Sequence, residues 1–200
     1  MNPPPPLTLS QKLEIYRHLL LKWSRAVNLV APSTLAEIDR RHFQDSLQLL
    51  PYIPPNAKIL YDFGSGAGFP ALPLAMARPL LEVHVFESDQ KKCSFMQNVS
   101  RETLTPIHIH NERIESVSFD TLPLPDVVSA RALAGLGELI DYAQNCWEGR
   151  PSCHLIFLKG AKWQEEVSAA RQNYEFDLVD AASETLDAGR ILILSRLRQK

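Results

Sequence analysis

Asp62, Gly64, Gly66 and Gly68 spell Asp-x-Gly-x-Gly-x-Gly within the stretch YDFGSGAGFPALPLAM. Glycine is needed where backbone takes positive φ or approaches a ligand closely, and such a loop between a strand and a helix turns free N–H groups toward an anionic or polar ligand. A phosphate-binding P-loop requires Lys-Ser or Lys-Thr after its last glycine, and none follows here. A dinucleotide fingerprint requires its third glycine at position 69, where Phe69 stands, so that pattern is strained. A tight βα turn with no ligand is the bland alternative. Glu87 ends the next strand candidate, and its carboxylate can accept hydrogen bonds from both hydroxyls of a ribose, which suits any nucleoside cofactor. Arg131 follows the fourth strand candidate, where an open α/β sheet has its ligand crevice. Lys159, at the end of the fifth, points toward the same edge and meets either phosphate or solvent. His42 and Asp45 lie three apart on one helical face, which either closes over the ligand or bonds the helix to the core.

The elements that position these residues follow from apolar periodicity. Residues 1–9 are expected to form a proline-rich arm, because Pro3 to Pro6 fix φ and donate no backbone hydrogen bonds. Residues 10–56 read as a helical appendage packed on the core, with one amphipathic helix from Ser10, its N-cap, to Val27 and a second from Thr34 to Leu50. Over residues 57–200 short apolar runs alternate with helical patterns, predicting βαβ units and an α/β fold with a mostly parallel sheet. Seven strands are expected, at 58–63, 81–87, 107–110, 126–129, 154–158, 176–180 and 190–196. The last two flank AASETLDAG, too short for a helical crossover, and should pair as an antiparallel edge hairpin. With 200 residues and 45% hydrophobic content the chain fits one such domain, and no apolar run approaches the length of a membrane span. MNPPPPLTLS lacks the layout of a signal peptide, so a cytoplasmic location is expected. Cys93, Cys146 and Cys153 match neither a disulfide framework nor zinc-ligand spacing, so they read as buried thiols and no metal is expected. A net charge of −2 leaves nucleic acid open as a partner, because local basic patches coexist with an acidic total.

The complete loop match resembles the S-adenosylmethionine loop of class I (Rossmann-like) methyltransferases, whose sheets also carry an antiparallel edge strand. After the fourth strand the chain reads DVVSARALAGL, without the Asn/Asp-Pro-Pro-aromatic segment of exocyclic-amine enzymes or the cysteine nucleophile of carbon-5 pyrimidine enzymes. A ring nitrogen such as guanine N7, whose lone pair bears no proton, suits both absences. Seven ordered segments then carry a specific resemblance: KWSRAVNLV, RRHFQDSLQLLPYI, GFPALPLA, FESDQKKCSFM, NERIESV, VSARALAGL and FLKG. Together they resemble the glucose-inhibited division protein B family of bacterial 16S ribosomal RNA guanine-N7 methyltransferases. The resemblance implies S-adenosylmethionine as cofactor, guanine 527 of 16S ribosomal RNA as target, and a monomer working on the RNA or the small ribosomal subunit, with no membrane. It implies that Asp62, Gly64, Gly66, Gly68 and Phe69 line the cofactor, that Glu87 takes the ribose position, that Ile114 and Glu115 flank the adenine, and that Arg131 borders both cofactor and reaction pocket as the catalytic candidate. Glu87 stands where that family more often has Asp, Ala71 where it usually has Gly, and Gln90 where a glycine commonly precedes the paired lysines. The rivals are a small-molecule methyltransferase and a nucleotide-binding module that transfers nothing. Arg40, Arg41, Lys91, Lys92, Arg196 and Arg198 are possible RNA-backbone contacts, although solvated charge is the commoner reason for such residues.

Overall fold

The computed structural model describes residues 5–200, so the first half of the proline arm lies outside the described residues. Helix α1, Leu9–Trp23, begins earlier than expected because Thr8 rather than Ser10 caps it. Thr8 Oγ1 accepts from Gln11 N at 3.3 Å while Gln11 Oε1 accepts from Thr8 N at 2.9 Å, a reciprocal capping box. The helix stops at Trp23, not Val27, because Ala26 N and Val27 N both close on Trp23 O and turn the chain. The second stretch is not the single helix expected over Thr34 to Leu50. It runs as a 3-10 segment Pro32–Glu37, a π-type turn Asp39–Gln44, a short α-helix α2, Asp45–Leu47, and a 3-10 turn Leu50–Tyr52. Its hydrogen-bond period changes where its side chains are held: Thr34 bonds His42 within the stretch, and distant partners hold Asp39 through Arg17 and Asp45 through Arg131.

From there β1 (Ile59–Phe63), α3 (Ala71–Ala77), β2 (Glu82–Phe86), α4 (Gln90–Glu102) and β3 (His108–His110) form one half of a sheet. The other half comprises β4 (Val127–Arg131), α5 (Leu136–Tyr142), α6 (Gln144–Trp147), β5 (His154–Lys159), α7 (Trp163–Asn173), β6 (Tyr174–Ala182) and β7 (Arg190–Gln199). Among the described residues the strands form one seven-stranded sheet in the order β3-β2-β1-β4-β5-β7-β6. β1 to β5 are parallel, and β7 runs antiparallel to both β5 and β6, as the short final link requires. The hairpin is longer than expected, since β6 starts at Tyr174 and β7 continues to Gln199.

Strand residues alternate between two cores. Leu60, Val83, Val85 and Val127 face α1, α3 and α4, whereas Tyr61, Phe63, Val128 and Phe157 face α5, α6 and α7. The order reverses between β1 and β4, so the chain leaves these neighbours in opposite directions and a crevice opens at their carboxyl ends. The glycine loop follows β1 and Arg131 ends β4, so sheet topology alone brings them together.

Candidate active site

The loop after β1 takes its shape from backbone hydrogen bonds: Gly64 N to Phe86 O at 2.9 Å, Gly68 N to Ser65 O at 2.8 Å and Phe69 N to Ser65 O at 3.0 Å. Gly66 and Gly68 need glycine for different reasons. Both have positive φ, 58° and 95°. A β-carbon on Gly68 would run into Leu72 and stand 3.0 Å from Tyr16 Oη, so that glycine lets α1 and α3 close on the loop. A β-carbon on Gly66 would meet nothing nearer than 4.0 Å, so its open side faces the crevice. From below, Tyr16 donates its hydroxyl to Ala67 O and stacks on Phe69 with ring centroids 5.1 Å apart.

Two cavities meet at this loop and share Gly64, Gly66 and Ala132. The smaller, about 290 Å³, is lined by Glu87, Ile114, Glu115 and Tyr142. Glu87 is buried, with Oε2 accepting from Gly66 N at 2.9 Å and Oε1 from Asp89 N at 2.8 Å, so the glycine loop itself orients the carboxylate. Each oxygen keeps a lone pair for a hydroxyl donor. Tyr142 Oη donates to Glu138 Oε1 and lies 3.2 Å from Glu115 Oε1, which places an aromatic ring at the cavity wall that the sequence pattern did not single out.

The larger cavity, about 450 Å³, is lined by Phe69, Arg131, His42, Asp45, Lys159 and residues of the link between β6 and β7. Arg131 is held from the helical appendage: its Nη1 donates to Asp45 Oδ2 at 3.1 Å and to Arg41 O at 3.2 Å, and Nη2 lies 3.3 Å from His42 Nδ1. Its guanidinium sits 5.1 Å above the Phe69 ring. Nε–H and one Nη2 hydrogen remain for a ligand. Asp45 is buried and also accepts from Gln48 at 2.9 Å and from Thr185, which stands in the β6–β7 link. Of the two readings of His42 and Asp45, the structure shows the bond of the helix to the core, since both hold Arg131. Lys159 is bonded inward, with Nζ 2.6 Å from Glu166 Oε2 and donating to Ala134 O at 2.7 Å.

Burial sets the charges. His42 is pushed down to about 4, mainly by burial and then by the Arg131 and Arg41 charges, so it is neutral at neutral pH. Asp62 is pushed up to about 6 by complete burial, against the stabilising bond from Ser129 Oγ at 2.7 Å and the Arg131 charge. Asp62 Oδ2 is buried without a partner among the described residues, an unmet acceptor beside the loop. Burial raises all three thiols, Cys93 to about 11 and Cys153 to about 12, which removes them as nucleophiles. Of the basic residues noted in the sequence, Arg196 pairs with Asp177 and Arg40 lies 3.9 Å from Glu37, while Arg41 reaches the cavity rim.

A family model described as rRNA small subunit methyltransferase G matches residues 9–190. This chain belongs to that family. The ribosomal RNA small subunit methyltransferase G of Paramagnetospirillum magneticum is 41% identical over 186 residues, covering 92% of this chain and 87% of that protein. Its counterpart in Rickettsia prowazekii is 34% identical and covers 94% of each chain. Among solved structures, the O-methyltransferase of Bacillus cereus, in complex with SAH, superposes with a TM-score of 0.62 at 11% identity over 92% of this chain and 91% of that one. The ribosomal protein L11 methylase of Lactobacillus delbrueckii gives 0.60 at 15% identity over 78% of each. At such identities the likeness is one of fold, and it is the class I methyltransferase fold. As a member of the methyltransferase G family, the chain is an S-adenosylmethionine-dependent enzyme that methylates small-subunit ribosomal RNA.

Proposed function

We propose that the enzyme methylates guanine at N7, at position 527 of 16S ribosomal RNA, acting as a cytoplasmic monomer. The observation that carries N7 is that the groups in the acceptor cavity able to take a proton are already engaged. His42 has Nε2 2.8 Å from Thr34 Oγ1 and Nδ1 against Arg131, Asp45 is held by Arg131, Gln48 and Thr185, and Glu166 is paired with Lys159. A cavity without a free base suits a nucleophile that loses no proton on attack, and guanine N7 is one.

The residues present fit the cofactor. Glu87 offers lone pairs at the ribose position, Ile114 and Glu115 flank an aromatic-sized space, Gly66 leaves backbone room, and Asp62 Oδ2 lacks the donor that an ammonium or water would supply. Bound there, S-adenosylmethionine supplies an electrophilic methyl on a positively charged sulfur. The chain contributes orientation and exclusion of water. Phe69, stacked between Tyr16 and His42, forms an apolar floor, and Arg131 above it presents two unbonded N–H groups to a phosphate or a base. Most of the acceleration then comes from aligning acceptor, methyl and sulfur.

The test is transfer of labelled methyl to 16S ribosomal RNA and to assembled small subunits, with the modified base mapped by borohydride and aniline cleavage. Cleavage at guanine 527 is the expected outcome. Label in the RNA without strand cleavage would overturn the N7 assignment.

A further inference from the structure

At the edge of the sheet a group of side chains lies outside both cavities of the glycine loop. β2 and β3 pair in parallel with His84 opposite His108, and the two-residue period of a strand puts Glu82, His84, His108 and His110 on one face. The ligand-type atoms of Glu82, His84 and His108 lie within 4.8 Å of one another. Glu82 Oε1 is 3.0 Å from His84 Nε2 and 3.4 Å from His108 Nε2. Zinc bonds imidazole nitrogen and carboxylate oxygen at about 2.0–2.1 Å, which makes the edge of its tetrahedron about 3.3 Å. Two of the three edges are therefore near coordination length. The third closes by a swing of the His108 ring, whose side chain is 59% exposed. His84 is buried, and its Nδ1 sits 3.0 Å from His110 Nε2, which can accept the Nδ1 hydrogen once a metal takes the place of the proton that Nε2 shares with Glu82.

We propose that Glu82, His84 and His108 bind a divalent cation of the zinc class, with water completing the coordination. Two imidazoles and a carboxylate form a borderline donor set, which favours zinc over the oxygen-seeking magnesium and calcium. The ion would clip β3, a three-residue edge strand, onto β2. β2 leads into Glu87 and β3 leads toward Ile114 and Glu115, so the clip steadies the walls of the smaller cavity. Cysteine spacing gave no hint of it, because these ligands come from two strands and meet only through sheet register.

The test uses the full, untagged chain stripped with chelator, with Zn²⁺ and Co²⁺ salts as probes. One Zn²⁺ per chain should survive desalting, Co²⁺ should develop the intense visible bands of tetrahedral coordination, and Zn²⁺ should displace it. Glu82→Gln and His108→Ala, both at partly exposed positions, should each weaken binding at least about tenfold, the loss that a second-shell partner alone can cause. Zn²⁺ should raise the unfolding temperature of the wild type and not of the variants, whose metal-free circular dichroism should match the wild type. Absence of retained Zn²⁺ and of the Co²⁺ bands overturns the site. So does wild-type affinity in both variants, which would put the ion elsewhere, on the cysteines for instance.

Discussion

Arg131 is fixed by Asp45, Arg41 and His42 before any ligand arrives, so its side-chain entropy is largely lost in folding rather than in binding. Arg131→Ala should leave S-adenosylmethionine affinity within about threefold and lower methyl transfer to ribosomal RNA by about a hundredfold, read by calorimetry and labelled-methyl kinetics. If the guanidinium instead holds the cofactor carboxylate, both quantities fall together. Glu87 has a double attachment, to the loop through Gly66 N and to the α4 cap through Asp89 N. Glu87→Ala therefore removes charge-assisted bonds of roughly 1.5–3 kcal/mol and should weaken cofactor binding at least about tenfold, measurable by calorimetry. His42 carries a pH signature. Its folded value of about 4 lies below the ordinary 6.5, so the unfolded chain binds the proton more readily, and this contribution to stability is lost as pH falls from 6.5 toward 4. Asp62 runs the other way, its contribution falling as pH rises from 3.8 to about 6. His42→Gln should therefore lose less stability than the wild type between pH 6.5 and 4 in urea titrations. Parallel curves would show that His42 does not titrate in that window.

Among the elements, α1 is tied to the chemistry through one side chain. Tyr16 is fully buried, donates to Ala67 O within the glycine loop and stacks on Phe69. Tyr16→Phe keeps the ring and leaves a buried carbonyl unmet, a loss of about 1–3 kcal/mol. Amide exchange of residues 64–69 should speed up while exchange in the far core around α6 stays unchanged. Uniform acceleration across the molecule would mean that the bond serves global stability instead. The broken helical stretch over residues 32–52 belongs to the same scale. Apolar spacing marked it as helical, yet its side chains also bond Arg17 and Arg131, which lie outside the stretch.

For the whole molecule, a net charge of −2 sets no long-range attraction for RNA, so binding must rely on local cations such as Arg41 at the cavity rim. Affinity for ribosomal RNA should fall as salt rises, the slope counting the phosphates contacted, and filter binding at stepped ionic strength measures it. A flat response would place recognition on base contacts alone. The glycine loop, the acid closing β2, the arginine after β4 and the antiparallel hairpin were all legible in the sequence, because each follows from local backbone demands or from the period of apolar residues. The seven strands followed for the same reason, with ends displaced by a few residues where hairpin pairing lengthened them. Tertiary structure alone decided the partners. Asp45 and Thr185 are far apart in the chain yet bonded, and Asp45 also holds Arg131; Tyr142 reaches Glu115 across a cavity, and His84 meets His108 only through strand register. Side chains distant in sequence become neighbours through packing of whole elements, whose geometry depends on every residue in the two cores, whereas a turn or a strand end depends on the few residues that form it.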